Sequence, residues 1–591
     1  MTAGHPAAED PITRALVSGG LRALQAEMER LLERSAMSPF IHEKKDYFAG
    51  VAAADGRLLI GDNYTSYGNV MDAVLRQYPA ETMRPGDVFA YNDCYGSDGG
   101  VTHTPDMVFV APIIDEAILV GFVHCAGHLW DIGGMRAGSL SGDATEIFHE
   151  GLIVPPVRIV SDGEPNDELL RLMVANSRFA SVLENDVQAL LSATRLGVRR
   201  VLELCARHGR AVVVAAFDRS LRDTAQFVDE ALGRLVPDGT YRFEEAVDSD
   251  AVGDTPIWIR LALSSVDGRR SLDTRTSDDQ TRGPANYLMH DSVPKFALAL
   301  YVLDEATGPH HNAGSASALD DVLVREGSVL WPRWPAPLGS RGQTKMRFQS
   351  ALMGCIARAT GGMSPAASAG YSLYVLRGLD ARSGRFFLCT DGLAVGHGGR
   401  PTADGLDAIY GPGQRNYPVE YVPWRFPLRV ERYGINLDSG GPGEHRGGCG
   451  IVREVRVLAD EAVLASRLDN VRIPAYGVRG GMAGRGGAVT VNPGGPDARS
   501  IAPLSDGTAV RRGDLIRFET AGGGGWGHPF DRPAELVERD VRYGFVSVES
   551  ARKDYGVVLD PETHDLDVAA TARRRRRRPV TKLFHRGTYF D

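Results

Sequence analysis

The chain has no C-x-x-C pair, no run approaching the roughly 18 consecutive apolar residues that cross a bilayer, and no Gly-Lys-Ser/Thr after any glycine cluster. Each absence excludes a class. Its six cysteines (Cys94, Cys125, Cys205, Cys355, Cys389, Cys449) are scattered, which fits neither a disulfide framework nor a zinc ribbon. Cys125 falls in a predicted strand and reads as a core thiol. The N-terminus, MTAGHPAAEDPITRAL, lacks a basic region followed by an apolar one, so no secretory signal is expected and the protein is expected to be cytoplasmic, with no membrane partner. Without a Walker loop or a clean G-x-G-x-x-G between strand and helix, no nucleotide site is expected in this chain. A net charge of -9 and a pI near 6.0 argue against a general nucleic-acid binder. The one charge block, Arg573 to Arg578, has no interleaved aromatics and reads as a solvated face or a subunit contact.

What is present is an ordinary globular composition, 43% hydrophobic with a mean hydropathy of -0.18, in a chain too long for a single core. The pattern predicts a multidomain α+β protein: an N-terminal helix and β-hairpin region, a helical insert, and a glycine-rich, β-dominated C-terminal half. Five segments follow from the changes of texture: 1–164, an α+β region; 165–237, helical; 238–460, β-rich with a helical insert; 461–560, a glycine-rich β region; and 561–591, a basic tail. Apolar positions at helical spacing from Pro11 to Met37 predict a helix broken near Gly19-Gly20. Asp46 to Asp62 predicts a hairpin turning at Asp55-Gly56. The helical segment is expected to break at Gly197, with a second helix after His208, and Gln349 to Ala359 is expected to be helical. The 69 glycines cluster at 440–450, 479–487 and 522–527, where tight turns and close backbone packing are the expected use.

The most informative stretch is NDCYGSDGGVTHTPDMVFVAPIIDEAILVGFVHCAGHLWD, residues 92–131. Two apolar runs, Met107 to Ile113 and Ile118 to Cys125, flank a short acidic reversal and predict a β-hairpin. Folding about Asp115-Glu116, or about a four-residue loop from Ile114 to Ala117, sets His103 opposite His128. Directly opposed residues have Cβ atoms about 4.5–5.5 Å apart, within reach of one ion. A bulge would instead send the rings to opposite faces. Asp106, Asp131 and Asp98 lie close in sequence, and two His with one or two Asp suit Zn²⁺, Mn²⁺ or Fe²⁺. The same pattern also fits loop histidines hydrogen-bonded to neighbouring aspartates.

The order NDCY, GGVTHTPD, GHLWDIGGMRAGS, ATEIFHEGLIVPPVRI, and later DGTYRFEEAVDSD, NYPVEYVPWRFPLRVERYGINLDSGGPGEHRGGCGIVRE and RRGDLIRFETAGGGGWGHP resembles the hydantoinase B / 5-oxoprolinase family over about Leu16 to Asp560. The resemblance implies a B-type subunit of an ATP-dependent cyclic amide hydrolase, acting on a hydantoin, 5-oxoproline or a related lactam. A larger A-type partner would bind ATP and Mg and activate the substrate carbonyl by phosphorylation, in a hetero-oligomer. Family ligands fall on Asp46, His103 and His128, with Asp106 as fourth candidate for a divalent Zn, Mn or Fe ion. Asp131 then reads as a residue behind the ligands that orients a histidine by hydrogen bonding.

Departures matter for the substrate. Hydantoinase-like members commonly carry two consecutive histidines where this chain has His128-Leu129-Trp130. A single histidine before a bulky aromatic is also similar to the acetone and acetophenone carboxylase branch. Cys94 stands where proline is common. Glu146 and Glu150 are general-base candidates beside a capping or solvated role, Glu43 is an alternative ligand to Asp46, and Arg446 and His445 fit loop packing better than anion binding. A ketone carboxylase subunit and a non-catalytic scaffold therefore stand beside the hydrolase as alternatives.

Overall fold

The structure is a computed structural model, described here for residues 10–61, 66–304, 308–411 and 414–587. Asp62, the end of the predicted first hairpin, and the N-terminal segment before Asp10 lie outside the described residues. The chain folds into two compact units. One comprises Met1–Gly239, Ser264–Arg275 and Asn286–Arg341, and the other Thr240–Leu263, Thr276–Ala285 and Gly342–Asp591. These units do not follow the five linear segments. Among the described residues no helix is long and apolar enough to cross a membrane.

The first unit is built on a seven-stranded sheet. Its strands are β1 (Tyr47–Ala53), β2 (Leu58–Ile60), β3 (Val88–Tyr91), β4 (Asp106–Asp115), β5 (Ile118–His128), β6 (Val157–Ser161) and β7 (Glu164–Pro165), in the order β2-β1-β5-β4-β3-β6-β7. Side chains alternate between its two faces. Ala49, Val51, Met107, Phe109, Val123 and Cys125 share one apolar cluster with Met28 and Leu32 of the helix Pro11–Ser35 and Leu190 of the helix Ala180–His208. Phe48, Ala52, Val108, Val110, Phe122 and Ala126 belong to a second cluster with Tyr67 and Met71. Both faces are covered, which is why β4 and β5 read as nearly continuous apolar runs rather than alternating ones. Full burial of one such side chain contributes about 1.5–3 kcal/mol.

Two expected helix breaks are absent. The helix Pro11–Ser35 runs through Gly19-Gly20, and the helix Ala180–His208 runs through Gly197. The reason is close approach rather than flexibility. A Cβ on Gly20 would lie 2.7 Å from Leu204, and one on Gly197 would lie 2.6 Å from Met28 Sδ and 2.7 Å from Val123. The break comes instead at Gly209 (φ +86°), and the next helix, Arg210–Leu235, follows as expected after His208. The hairpin at Asp55-Gly56 forms, with Gly56 at φ +84°. The later helix is two turns longer than expected, Arg341–Ala359. All six cysteines are buried, and none is in a disulfide.

The expected register of the central hairpin is corrected. The reversal is a two-residue turn at Glu116-Ala117, with φ +47° and +69°, closed by the pair Asp115↔Ile118. A bulge between Ile113 and Ile114 then shifts the register again. The residue opposite His128 is therefore Asp106, and His103 lies in the loop before β4.

The second unit contains a four-stranded sheet (Arg385–Leu393, Ser372–Asp380, Glu461–Arg467, Leu504–Arg511) and a five-stranded one (Leu428–Ile435, Ile451–Val457, Leu515–Glu519, Ala488–Val491, Arg499–Ser500). Between the strands the glycine clusters pack backbone against backbone. Gly441 N–H donates to Gly523 O, Gly448 N–H to His397 O, Gly523 N–H to Gly448 O and Gly524 N–H to Ala367 O, at 2.7–3.0 Å. Ladder bonds of this kind between extended glycine segments leave no volume for side chains.

From the basic run, Arg575 donates to Tyr555 O and Arg532 O, Arg574 to Arg552 O, and Arg578 pairs with Asp531.

Candidate metal centre

The sheet register builds the centre. His128 ends β5. Its neighbour across β4 is Asp106, and on the β1 side Asp46 O accepts its backbone N–H at 3.0 Å, one step before the pair Tyr47↔Gly127. Asp46, His128 and Asp106 therefore form one row across three adjacent strands. The row is on the face of Phe48, Ala126 and Val108, since directly opposed and i±2 residues share a face. His103 is brought in by its loop: Asp106 N–H donates to His103 O, and Leu129 N–H to Pro105 O at 2.9 Å.

That loop is clamped by Asn92, which is fully buried. Its amide donates to Thr104 O (2.6 Å) and Leu152 O (2.8 Å), and its side-chain carbonyl accepts from Val154 N (2.6 Å). Thr104 Oγ1 adds a bond to Glu150 O at 2.7 Å.

One ligating atom from each of His103, Asp106 and His128 falls within 4.8 Å of the others, and all three residues are buried. It is the one group of three or more His, Cys, Asp or Glu with this geometry among the described residues. His103 Nε2 lies 2.8 Å from Asp106 Oδ2, and the two imidazole centroids are 5.0 Å apart. The ring of Phe40 stacks on His128 at 4.3 Å and 5°. His128 Nδ1 is 3.1 Å from Leu129 O, a contact that assigns the proton to Nδ1 and leaves Nε2 as the lone-pair nitrogen. Burial pushes the His128 pKa down to about 4, against the pull of Asp46 and Asp106, so the imidazole is neutral at pH 7.

These residues fit a divalent ion on their own chemistry. Two imidazoles and a carboxylate converge, and Asp106 Oδ1 is buried without a hydrogen-bond partner. A buried acceptor of this kind is costly unless something electropositive meets it. The mixed nitrogen and oxygen set suits Zn²⁺, Mn²⁺ or Fe²⁺. Asp46 flanks the row as an additional carboxylate, though outside the 4.8 Å group.

Three neighbours were missed in the sequence reading. Arg341, 235 residues from Asp106 in sequence, reaches Asp106 Oδ2 at 3.3 Å and Thr102 Oγ1 at 3.0 Å. Lys44 is fully buried, with Nζ 4.7 Å from the centroid of Phe40. Tyr67 is buried, and its hydroxyl pKa is held well above the ordinary value by burial first and by Asp106 and Asp46 next. Lys44 follows Phe40 in PFIHEKKD, beside Asp46, so its closeness was the one readable signal. Arg341 and Tyr67 had none.

Asp131 lies elsewhere than the resemblance implies. Its carboxylate accepts from the N–H of Gly133 (3.1 Å), Gly138 (2.9 Å) and Arg178 (2.9 Å) and from the Arg178 guanidinium (2.9 Å), so it holds the loop after β5 and no bond to a histidine is seen. Asp131→Ala strands those donors and should destabilise the chain by about 3 kcal/mol, read as a shift of the urea midpoint.

Glu146 is exposed, at the edge of the turn Ile147–Glu150. Glu150 is buried but accepts from Leu338 N (2.9 Å) and Gly339 N (2.6 Å). Glu43 bonds His42 at 3.0 Å, and Asp98 pairs with Arg76. Cys94 is buried with its thiol pKa pushed well up by burial. Arg446 is a packing residue in the second unit, bonded to Asp407 at 2.8 Å.

A buried His-Asp-His cluster at the end of a covered antiparallel sheet defines a candidate metal-dependent protein of mixed α and β structure. The chain belongs to the hydantoinase B/oxoprolinase family, whose profile matches residues 10–529. It is 28% identical over 589 residues to the caprolactamase subunit beta of Pseudomonas jessenii, covering 95% of this chain and 98% of that one. It is 26% identical over 588 residues to the acetophenone carboxylase delta subunit of Aromatoleum aromaticum, covering 90% of this chain and 84% of that one. The fold is shared with the crystal structure of the ATP-dependent caprolactamase from Pseudomonas jessenii, with a TM-score of 0.83, 24% identity, and coverage of 96% of this chain and 99% of that one.

Proposed function

We propose that this chain is the B-type subunit of an ATP-dependent cyclic amide hydrolase, acting on a hydantoin, 5-oxoproline or a related lactam. The observation that carries the reading is the buried cluster of His103, Asp106 and His128 in a chain of the hydantoinase B/oxoprolinase family. In this reading Asp46, His103, Asp106 and His128 hold a divalent Zn, Mn or Fe ion. ATP and Mg are used by an A-type partner subunit, which activates the carbonyl by phosphorylation on oxygen. When bound, the ion would supply Lewis-acid charge and lower the pKa of water toward neutrality. His128 keeps its proton on Nδ1 against Leu129 O and offers Nε2, while Phe40 fixes its ring plane. Arg341 and Lys44 add positive charge to a site with two carboxylates, and burial keeps bulk water from the cluster. With Glu146 exposed and Asp131 engaged by four donors, neither is assigned a proton-transfer step.

A carboxylase reading rests on His128-Leu129-Trp130. Trp130, however, is buried and stacks on Phe179 with centroids 4.0 Å apart, so the aromatic that departs from the hydantoinase pattern has a packing use. The aromatic is therefore not by itself a mark of the carboxylase. The test is substrate-dependent ATP hydrolysis by the chain co-purified with its partner, using 5-oxoproline, hydantoins, simple lactams, and ketones with bicarbonate. Turnover with a cyclic amide and no bicarbonate is expected. Turnover only with ketone and bicarbonate would transfer the chain to the carboxylase reading.

A further inference from the structure

The arginine run Arg573 to Arg578 lies beyond residue 529, where the family profile ends, and the proposed chemistry makes no use of it. It closes the helix Val568–Arg575 in the second unit. Arg576 keeps right-handed helical angles (φ -61°, ψ -23°), and Arg577 N–H donates to Arg574 O at 3.1 Å, so the turn carries on through the run. Residues three and four apart share a helix face. Arg574, Arg575 and Arg578 therefore fall on one side, and Arg573, Arg576 and Arg577 on the other.

The contacts divide along the same line. Arg574 Nε donates to Arg552 O, Arg575 donates to Tyr555 O at 3.1 Å and to Arg532 O at 2.7 Å, and Arg578 pairs with Asp531 at 2.7 Å. These three tie the run to the unit. Among the described residues, the side chains of Arg573, Arg576 and Arg577 make no hydrogen bond or ion pair, and all three are exposed. Arg552, also exposed, is brought alongside by the bond from Arg574.

Carboxylates of the surrounding segment are already engaged. Asp531 is taken by Arg578, Asp565 by Arg542 at 2.7 Å, and Asp567 by Ala570 N–H at 2.8 Å as the helix cap. A helix C-terminus favours a cation in its last turn, and the anchored Arg574 and Arg575 supply that. Arg573 stands at three and four residues from Arg576 and Arg577, spacings at which like charges repel. Three unpaired guanidiniums held on one face of an anchored turn, in a chain of net charge -9, are arranged for an anion brought from outside.

The shape of the patch selects the anion. It covers about one helical turn, roughly 5 Å along the axis, and no aromatic residue occurs from Val568 to Leu583 on which a base could stack. A nucleic acid strand is followed by a longer basic groove with stacking side chains. Carboxylates at the same short spacing meet the three guanidiniums one for one, each in the bidentate geometry that the planar fork provides.

We infer that Arg573, Arg576 and Arg577, with Arg552 beside them, form the docking surface for a short carboxylate-rich segment of another protein chain. Resting on the B-type subunit reading, the surface is assigned to the partner subunit. The metal cluster belongs to the other unit, so this patch serves assembly rather than chemistry.

The experiment takes two readings on the full chain: affinity for the separately purified partner subunit across a salt titration, and anisotropy of a fluorescein-labelled octaglutamate peptide. The wild-type chain should bind both, more weakly as salt rises. Arg573→Glu, Arg576→Glu and Arg577→Glu combined should weaken both by roughly tenfold or more, with circular dichroism and metal content unchanged. The corresponding triple lysine variant, which keeps the charge, should retain most of the binding. If the triple glutamate variant does not fold, the triple glutamine variant makes the same test by neutralisation. Partner affinity indifferent to the folded triple variant would overturn the inference, as would binding of anionic phospholipid vesicles or single-stranded DNA without binding of octaglutamate. Octaglutamate binding that the triple variant loses, in a wild-type chain that does not meet the partner subunit, would uphold the surface and remove the subunit reading instead.

Discussion

His103→Ala and His128→Ala should each release the divalent ion from the purified chain and lower partner-dependent, ATP-dependent turnover by roughly 100-fold or more. The two ligands arrive by different routes, and the variants should differ accordingly in stability. His103 belongs to a loop fixed by Asn92 and Thr104 through backbone bonds that its side chain does not make. His128 is stacked on Phe40 and ends a central strand, so its removal also leaves a cavity beside that ring. His103→Ala should therefore unfold near the wild-type midpoint, whereas His128→Ala should lose about 1–3 kcal/mol. Glu146→Ala is the matched control, being acidic, near in sequence and exposed. It should keep both metal and turnover. Stoichiometric metal in the two histidine variants would show the ion to be held elsewhere.

That the two histidines meet was legible in the sequence, but the route by which they meet was not. Opposing His103 and His128 across a turn at Asp115-Glu116 brings the right rings together through the wrong strand pair. The actual turn uses Glu116 and Ala117 in the left-handed region, where neither residue type announces itself, and a bulge then moves the register a second time. Asp106 takes the opposed position, and His103 is recovered by a loop whose clamp, Asn92, acts through Leu152 and Val154 some sixty residues away. Arg341 is more distant still. Contacts of that separation leave no periodicity to read. The apolar runs of β4 and β5 were clear because both sheet faces are buried, and the helices were clear from their spacing. Gly20 and Gly197 misled because glycine in a helix can mark either a break or a close approach, and only the neighbouring Leu204, Met28 and Val123 decide between them.

The glycine clusters of the second unit lead to the other large effect. Gly396, Gly448 and Gly524 lie where an added Cβ would fall less than 3.0 Å from a backbone oxygen, of Gly448, Leu406 and Tyr476 respectively. Backbone cannot rotate away as a side-chain tip can. The neighbouring segments are also tied to one another: Gly448 donates to His397 and accepts from Gly523, and Gly524 donates to Ala367. Relieving one contact therefore means breaking several ladder bonds, each contributing about 0.5–1.5 kcal/mol, in addition to the usual overpacking cost of about 1–3 kcal/mol. Gly448→Ala and Gly524→Ala should each lower the unfolding midpoint of the chain severely or abolish soluble expression, although each adds only one methyl group. Gly434→Ala, in the strand Leu428–Ile435 with nothing within 4 Å of its would-be Cβ, should be tolerated and helps separate steric exclusion from any general sensitivity to alanine. If Gly448→Ala melts with the wild-type chain, the segments are not held at backbone contact, and the clustering of glycine in this half needs another cause.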